Sequence, residues 1–322
     1  MSWNPESVAW PEQRAVLFVH GIGNAKPGDY DPLVAKFKTE IGTELADKLA
    51  IYFLYYDDLN NWMQQKVQFS QGIGQLKNWI KLEMIQDVSD EVCDEIADYS
   101  GDIIFPVIDQ AARAMIRERY LAQLNQIRLD GDKADVPRRK QQISIIAHSM
   151  GCFHTYETLW TAATDPKYCL KPATDGMQFQ NVILMAPPVQ LIRSAAKALG
   201  SLIPSEGLST IRGTRLAIPA EPFDINTNTG CAKNWISITG DCDPVGGFLF
   251  RKKLTWAYMD MTGQQSFIDK QTLVNMPDAE ALAQHLIEDK SLGDGPLPLN
   301  NPHSWDAYIA NHKGGLTQWL SA

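Results

Sequence analysis

The chain reads as an α/β protein with a mostly parallel central sheet and helices on both faces. Three observations carry that expectation. The runs 14–19 (RAVLFV), 49–56 (LAIYFLYY), 143–147 (ISIIA), 182–186 (VILMA) and 235–239 (WISIT) are continuously apolar rather than alternating, as strands covered on both faces are. Each is followed by a turn. Helix-length segments separate them, which is the pattern of strands joined by crossovers.

Taken in order, the first run stops at His20-Gly21-Ile22-Gly23, a strand ending in a glycine turn. After the second run comes a long helical stretch, 59–128, in which Trp62, Val67 and Phe69 begin a pattern that Ile73, Leu76 and Ile80 continue. Steps of three and four put most of these on one helical face, expected to pack on the sheet or on neighbouring helices, with a cap over a site as the other role. After the fourth run, 188–234 carries Pro204, Gly207, Gly213, Pro219, Pro222 and the polar turn DINTNTG. It reads as helix, then irregular loop. Long loops in compact domains tend to be functional, so this is a second lid candidate. No repeat or linker splits the sequence, and 1–322 is read as one domain.

The 322 residues hold 29 Lys plus Arg against 38 Asp plus Glu, a formal charge of −9. A nucleic-acid partner would call for a basic face and is not expected. At 44% hydrophobic and 21% charged, the composition is that of an ordinary globular protein. The start, MSWNPESVAWPEQ, has neither a basic region nor an apolar stretch, and no apolar run reaches the roughly 18 residues of a membrane-spanning helix. Cys93, Cys152, Cys169, Cys231 and Cys242 are an odd, scattered set without a CxxC pair, which argues against a disulfide framework. A reducing, cytoplasmic compartment is therefore expected, although leaderless export would leave the same sequence. Neither GxGxxG nor GxxxxGK[ST] occurs, so no nucleotide cofactor is expected. Asp57-Asp58 and the GDCD turn lack EF-hand spacing, so no metal is expected either.

The strongest chemical signal is ISIIAHSMGCFHTYETLW, an apolar strand running through Ala147-His148-Ser149-Met150-Gly151 into a helix-like segment. This is a nucleophile elbow. A serine at a sharp strand–helix turn has its hydroxyl raised above the sheet, and small residues two before and two after it relieve crowding. Ala147 stands where the first glycine is usual. Of the flanking residues, His148 fills the variable elbow position, His154 is expected in a helix groove, and Cys152 is expected to pack as a small apolar residue.

On these residues the chain resembles the α/β-hydrolase superfamily, in particular its lipase-like and esterase-like members, over nearly its whole length. The resemblance implies a parallel sheet flanked by helices with inserted helical caps, for which 59–128 and 188–234 are the candidates. It also implies an oxyanion hole. The HG turn after an early strand and the residue after the serine would supply its N–H groups, here Ile22 and Met150. The family order is serine, acid, histidine. Gly240-Asp241-Cys242-Asp243-Pro244-Val245, after the fifth run, resembles the family's acid loop; Asp243 fits its spacing and Asp241 remains a rival. Of the histidines beyond it, His285 lies in DAEALAQHLIEDK, a periodic helical segment, and His312 near the end of a C-terminal helix. His303, leaving a Pro/Asn-rich loop just before that helix, resembles the family's catalytic histidine.

The implied function is cleavage of a carboxylic ester, on a small molecule or a lipid, by Ser149, His303 and Asp243 through an acyl-enzyme. The same triad would serve a thioesterase or an amidase, and the fold would also serve a binding protein with a silent serine.

Overall fold

A computed structural model describes residues 3–21, 26, 28–59, 110–164, 179–188, 232–240, 286–289 and 304–322. Their strands are β1 (Arg14–Val19), β2 (Leu49–Leu54), β3 (Gln142–His148), β4 (Phe179–Met185), β5 (Ala232–Gly240) and β6 (Leu286–Asp289). They form one sheet in the order β2-β1-β3-β4-β5-β6, parallel at every pairing. The apolar runs supply the first five strands, with ends set by ladder partners rather than by hydropathy. β4 starts at Phe179 because that residue pairs with Ile143 on one side and Ala232 on the other, although the polar Gln180 and Asn181 interrupt the run. The chain is thus α/β.

β6 corrects the helical reading of DAEALAQHLIEDK. Its Leu286–Asp289 pair instead with Ser237–Gly240. Four residues are too few for periodicity to separate strand from helix, and an open ladder on β5 overrides local propensity.

Within each strand successive side chains face opposite sides. Ala15, Leu17, Val19, Ile143, Ile145, Ala147, Val182 and Leu184 join one core with Ile116, Tyr120, Leu124 and Ile127 of α3 (Gln110–Lys133) and with Cys152, Leu159 and Ala162 of α4 (Met150–Thr164). Val16, Phe18, Phe53, Ile146, Ile183 and Ile236 join the other, with Leu33, Phe37 and Ile41 of α1 (Asp31–Ile41) and Ala46 of the short α2 (Thr43–Ala46). That core also holds Trp305, Tyr308 and Ile309 of α5 (Trp305–Asn311) and Leu316 and Leu320 of α6 (Lys313–Ser321). Of the proposed cap segment 59–128, therefore, residues 110–128 belong to a helix packed on the sheet. Residues 232–234 of the segment 188–234 open β5. Trp62, Val67, Phe69, Ile73, Leu76 and Ile80 lie outside the described residues. Among those described, no helix is long and apolar enough to cross a membrane.

The step from β1 to β2 runs one way across the sheet, with α1 on one face. The step from β3 to β4 runs the other way, with α4 on the opposite face. Opposite directions on opposite faces keep both crossovers the same hand. Strand order therefore reverses between β1 and β3, and the crevice beyond their carboxyl ends is where open α/β sheets place their ligands.

Two polar devices fasten this frame. In register across β3, β4 and β5, Asn181 Nδ2 donates to Ser144 Oγ and to the Trp319 carbonyl, and Asn234 Nδ2 donates to Asn181 Oδ1, each at 2.9 Å. Buried polar groups need such partners, and these dock the end of α6 on the sheet. At the other side, residues 3–10 strap the edge strand β2 to α3. Phe53 N–H donates to Glu6 Oε2 at 2.7 Å, Glu6 N–H donates to Gln123 Oε1 at 2.8 Å, and Ser7 Oγ donates to Asp130 Oδ1 at 2.8 Å. Trp10 Nε1 donates to the Tyr52 hydroxyl at 2.8 Å. The strap gives an otherwise unpaired edge N–H a carboxylate acceptor.

β1 and α4 meet at Gly151, where a Cβ would collide with the carbonyl oxygens of Val19 and His20. These are backbone atoms that cannot step aside. Gly151→Ala is expected to cost about 3 kcal/mol or more, whereas Gly314→Ala, in α6 with nothing within 4 Å of the added carbon, should gain up to about 1 kcal/mol. Urea unfolding of both variants checks this; a Gly151→Ala midpoint equal to wild type would refute the contact.

Candidate active site

The crevice between β1 and β3 is lined by the turns that leave those strands. β3 ends at His148, and Ser149 then takes φ +54°, a left-handed conformation in a residue other than glycine. Such a backbone is costly and persists only where its surroundings dictate it. Here they do. Ser149 N–H donates to the Met185 carbonyl of β4 at 2.9 Å, and its carbonyl accepts from Cys152 N–H at 2.9 Å, closing the first turn of α4. Cys152, 1% exposed, adds its thiol to the carbonyls of Met185 at 3.2 Å and Ala147 at 3.4 Å. The cysteine expected merely to fill space thus also tightens the turn.

Met150, fully buried, opens α4 directly after the serine. The N-terminal, positive dipole end of that helix therefore lies beside the hydroxyl, where negative charge would develop in acyl transfer. From the β1 side, Gly21 closes over the same turn. A Cβ on it would stand 2.8 Å from Ser149 Cβ and 3.2 Å from Ser149 Oγ, so only glycine lets the loop pass this close.

His20 is 1% exposed. Its Nδ1 lies 2.5 Å from the Gly21 carbonyl, which can only accept, so Nδ1 carries the proton. Its Nε2 makes no hydrogen bond. Burial lowers its pKa to about 4, against the opposing effect of that carbonyl, even with Asp57 Oδ1 3.7 Å away. The ring stacks on Tyr56 at 4.3 Å and 9°, and the Tyr56 hydroxyl donates to the His20 carbonyl at 2.5 Å, with the Gly21 carbonyl at 3.2 Å. His154 stands edge-on to Tyr56 at 5.0 Å. Burial first, then His20 and Arg113, lower its pKa to about 3, and its Nε2 has no hydrogen-bond partner. Both rings are neutral near pH 7.

His148, in the variable elbow position, turns away from α4 and stacks on Trp305 at 5.5 Å and 13°, with Tyr308 edge-on at 6.0 Å. Trp305 opens α5, whose N-cap Ser304 accepts from Ala307 N–H at 3.2 Å. His312 sits at the junction of α5 and α6 beside Tyr308, a helix length from Trp305. Asp58 is held by Arg119 in a two-point ion pair, and Asp57 is buried near His20, so each carboxylate has a structural setting. Among the described residues no group of three or more His, Cys, Asp and Glu is arranged to hold a metal ion.

Of the residues assigned from sequence, Ser149 and Met150 are thus adjacent at the strand–helix turn, and Gly21 lies against them. Ile22, Asp241, Asp243, His285 and His303 lie outside the described residues. Tyr56 and Trp305 went unassigned. The available signal was their position: an aromatic two residues after the strand beside β1, and an aromatic two residues after His303. Comparison of the chain with protein-family models found no match, and comparison with curated proteins found none.

The two buried histidines give a signed pH dependence. Their folded values lie below the unfolded value near 6.5, so the unfolded chain takes up protons first as the pH falls. The stability they contribute is complete above about pH 6.5 and is lost toward pH 4 for His20 and pH 3 for His154, at about 1.4 kcal/mol per pH unit each. Urea midpoints measured from pH 7.5 to 4.5 should fall more steeply in wild type than in His154→Phe. Equal slopes would show that His154 does not carry this term.

Proposed function

We propose that the protein is a serine hydrolase of the α/β-hydrolase fold that cleaves carboxylic esters through an acyl-enzyme on Ser149. The observation that carries this reading is the left-handed serine between β3 and α4, at the reversal of strand order, with a helix N-terminus behind it. Strain of this kind on a serine at a strand–helix turn is what a nucleophile elbow requires, and Ser149 is 6% exposed with Gly21 against it. In the cycle, His303 takes the hydroxyl proton, the oxygen attacks the acyl carbon, and the N–H groups of Met150 and Ile22 meet the oxyanion. His303 then passes the proton to the leaving alkoxide. Water, activated by the same base, releases the acid, while Asp243 steadies the imidazolium.

The choice of His303 is supported from its neighbour, since Trp305 two residues later stacks on His148, which directly precedes Ser149. His285 is followed by Leu286 of β6, three strands from β3, or about 14 Å at the usual strand spacing. β5 is parallel to β3 and β4 and ends at Gly240, directly before Asp241 and Asp243 in sequence, which suits an acid delivered at the same edge of the sheet. With a net charge of −9, neutral esters with short to medium acyl chains are the favoured class over anionic ones.

A fluorophosphonate probe should label wild type and fail to label Ser149→Ala, whose turnover of p-nitrophenyl acetate should drop by about 10⁴-fold or more. An unlabelled wild-type serine would favour a binding protein on this fold, and a Ser149→Ala rate within tenfold of wild type would end the reading. His303→Ala is expected to be as damaging as the serine change, with His285→Ala and His312→Ala near wild type. Asp243→Asn should lose far more activity than Asp241→Asn; the reverse order would move the acid to Asp241.

A further inference from the structure

A second left-handed residue stands beside the first. Ala186, directly after β4, takes φ +53°, and Ser149, directly after β3, takes φ +54°. Neither is glycine, so each conformation has to be imposed from outside. One peptide joins them. The Met185 carbonyl accepts from Ser149 N–H at 2.9 Å, and across the same planar unit the Ala186 N–H donates to the Ile238 carbonyl of β5 at 2.9 Å. Pro187 and Pro188 follow and have no N–H to give. A side chain also grips that carbonyl: the Cys152 thiol donates to it at 3.2 Å, with the Ala147 carbonyl of β3 at 3.4 Å. We propose that Cys152 is a positioning residue for the nucleophile: its thiol, held between the ends of β3 and β4, fixes the Met185–Ala186 peptide and through it the left-handed backbone that aims the Ser149 hydroxyl. The inference rests on the proposed hydrolase function and adds a residue to it.

The placement of Cys152 suits this task. It is 1% exposed on the first turn of α4, and its own N–H donates to the Ser149 carbonyl at 2.9 Å. One residue therefore acts on both sides of the serine: its backbone holds the Ser149 carbonyl, and its thiol holds the acceptor of the Ser149 N–H. A carbonyl oxygen has two lone pairs, which leaves room at Met185 for the serine N–H and the thiol together. Without the thiol, that oxygen would be free to follow the serine N–H, and Ser149 could relax toward ordinary backbone with its hydrogen bond intact. With it, the acceptor is anchored to β3 and α4, and through Ala186 to β5. Another small apolar residue would fill the same space and bond neither carbonyl. A hydroxyl aimed before substrate arrives acts on the chemical step rather than on substrate binding.

Cys152→Ala removes the donor, and Cys152→Ser keeps one on a shorter arm. If the thiol only fills space in its apolar cluster, alanine is the better replacement, because serine buries a hydroxyl there. If the thiol positions Ser149, the order reverses. With p-nitrophenyl acetate, Cys152→Ala should lower kcat by about threefold to tenfold, the worth of one hydrogen bond, leave KM near wild type, and slow fluorophosphonate labelling of Ser149 by the same factor. Cys152→Ser should recover part of both losses. A kcat loss in Cys152→Ala below about threefold, or a Cys152→Ser variant no faster than Cys152→Ala, overturns the proposal. Ser149→Ala measured alongside separates the two ideas. If it retains turnover, the hydrolase reading falls, and amide hydrogen exchange decides the positioning role: faster exchange at the Ser149 N–H in Cys152→Ala than in wild type sustains it, and an unchanged rate overturns it.

Discussion

Everything at the candidate site depends on how closely two pieces of backbone can approach. Gly151 lets the first turn of α4 press against the carbonyls that end β1, and Gly21 lets the loop leaving β1 pass within contact of Ser149. A single methyl at either place would push β1 and β3 apart at the edge where the strand order reverses. The left-handed serine, the helix terminus behind it and the inward carbonyl of Gly21 all presuppose that contact. The strain stored at Ser149 is sustained by hydrogen bonds that reach across to β4, so this serine is held by three strands at once.

Around that contact the described residues place a cluster of rings. His20, Tyr30, Phe53, Tyr55, Tyr56 and Trp305 form a continuous set of stacked and edge-on pairs at the carboxyl ends of β1 and β2. Rings bring large contact area and few rotatable bonds, so they lock loops at small entropic cost. They also exclude water. The lowered pKa of His20 is one outcome, and the general one is a low-dielectric wall beside Ser149, in which fixed donors act strongly on a developing charge.

How much was legible beforehand follows from the range of each constraint. Strands β1 to β5 were readable because burial on both faces leaves a continuous apolar run, a property of five to eight adjacent residues. The strand–helix turn at Ser149 was readable for the same reason, since Ala147 to Gly151 contain its whole steric requirement. β6 was hidden because its four residues become a strand only through a ladder on β5, fifty residues away. Tyr56 was hidden because its hydrogen bonds to the His20 and Gly21 carbonyls exist only once β2 is known to lie beside β1. For 110–128 the expectation of packing on the sheet agrees with α3, whose Ile116, Tyr120, Leu124 and Ile127 join the core there, because a one-sided apolar stripe is itself a local property.

The strap formed by residues 3–10 has a consequence for biosynthesis. Its partners Gln123 and Asp130 lie 117 to 123 residues downstream, so this segment leaves the ribosome well before the helix that holds it in place. Until α3 has emerged, the outer N–H of Phe53 has no carboxylate above it and β2 is an open template for pairing with another nascent chain. Closing so long a loop is also slow compared with forming the local β–α units. The N-terminal segment therefore works as a latch thrown at the end of folding: it seals the sheet edge only in a molecule whose α3 is already home, and it separates finished molecules from those still able to associate through that edge.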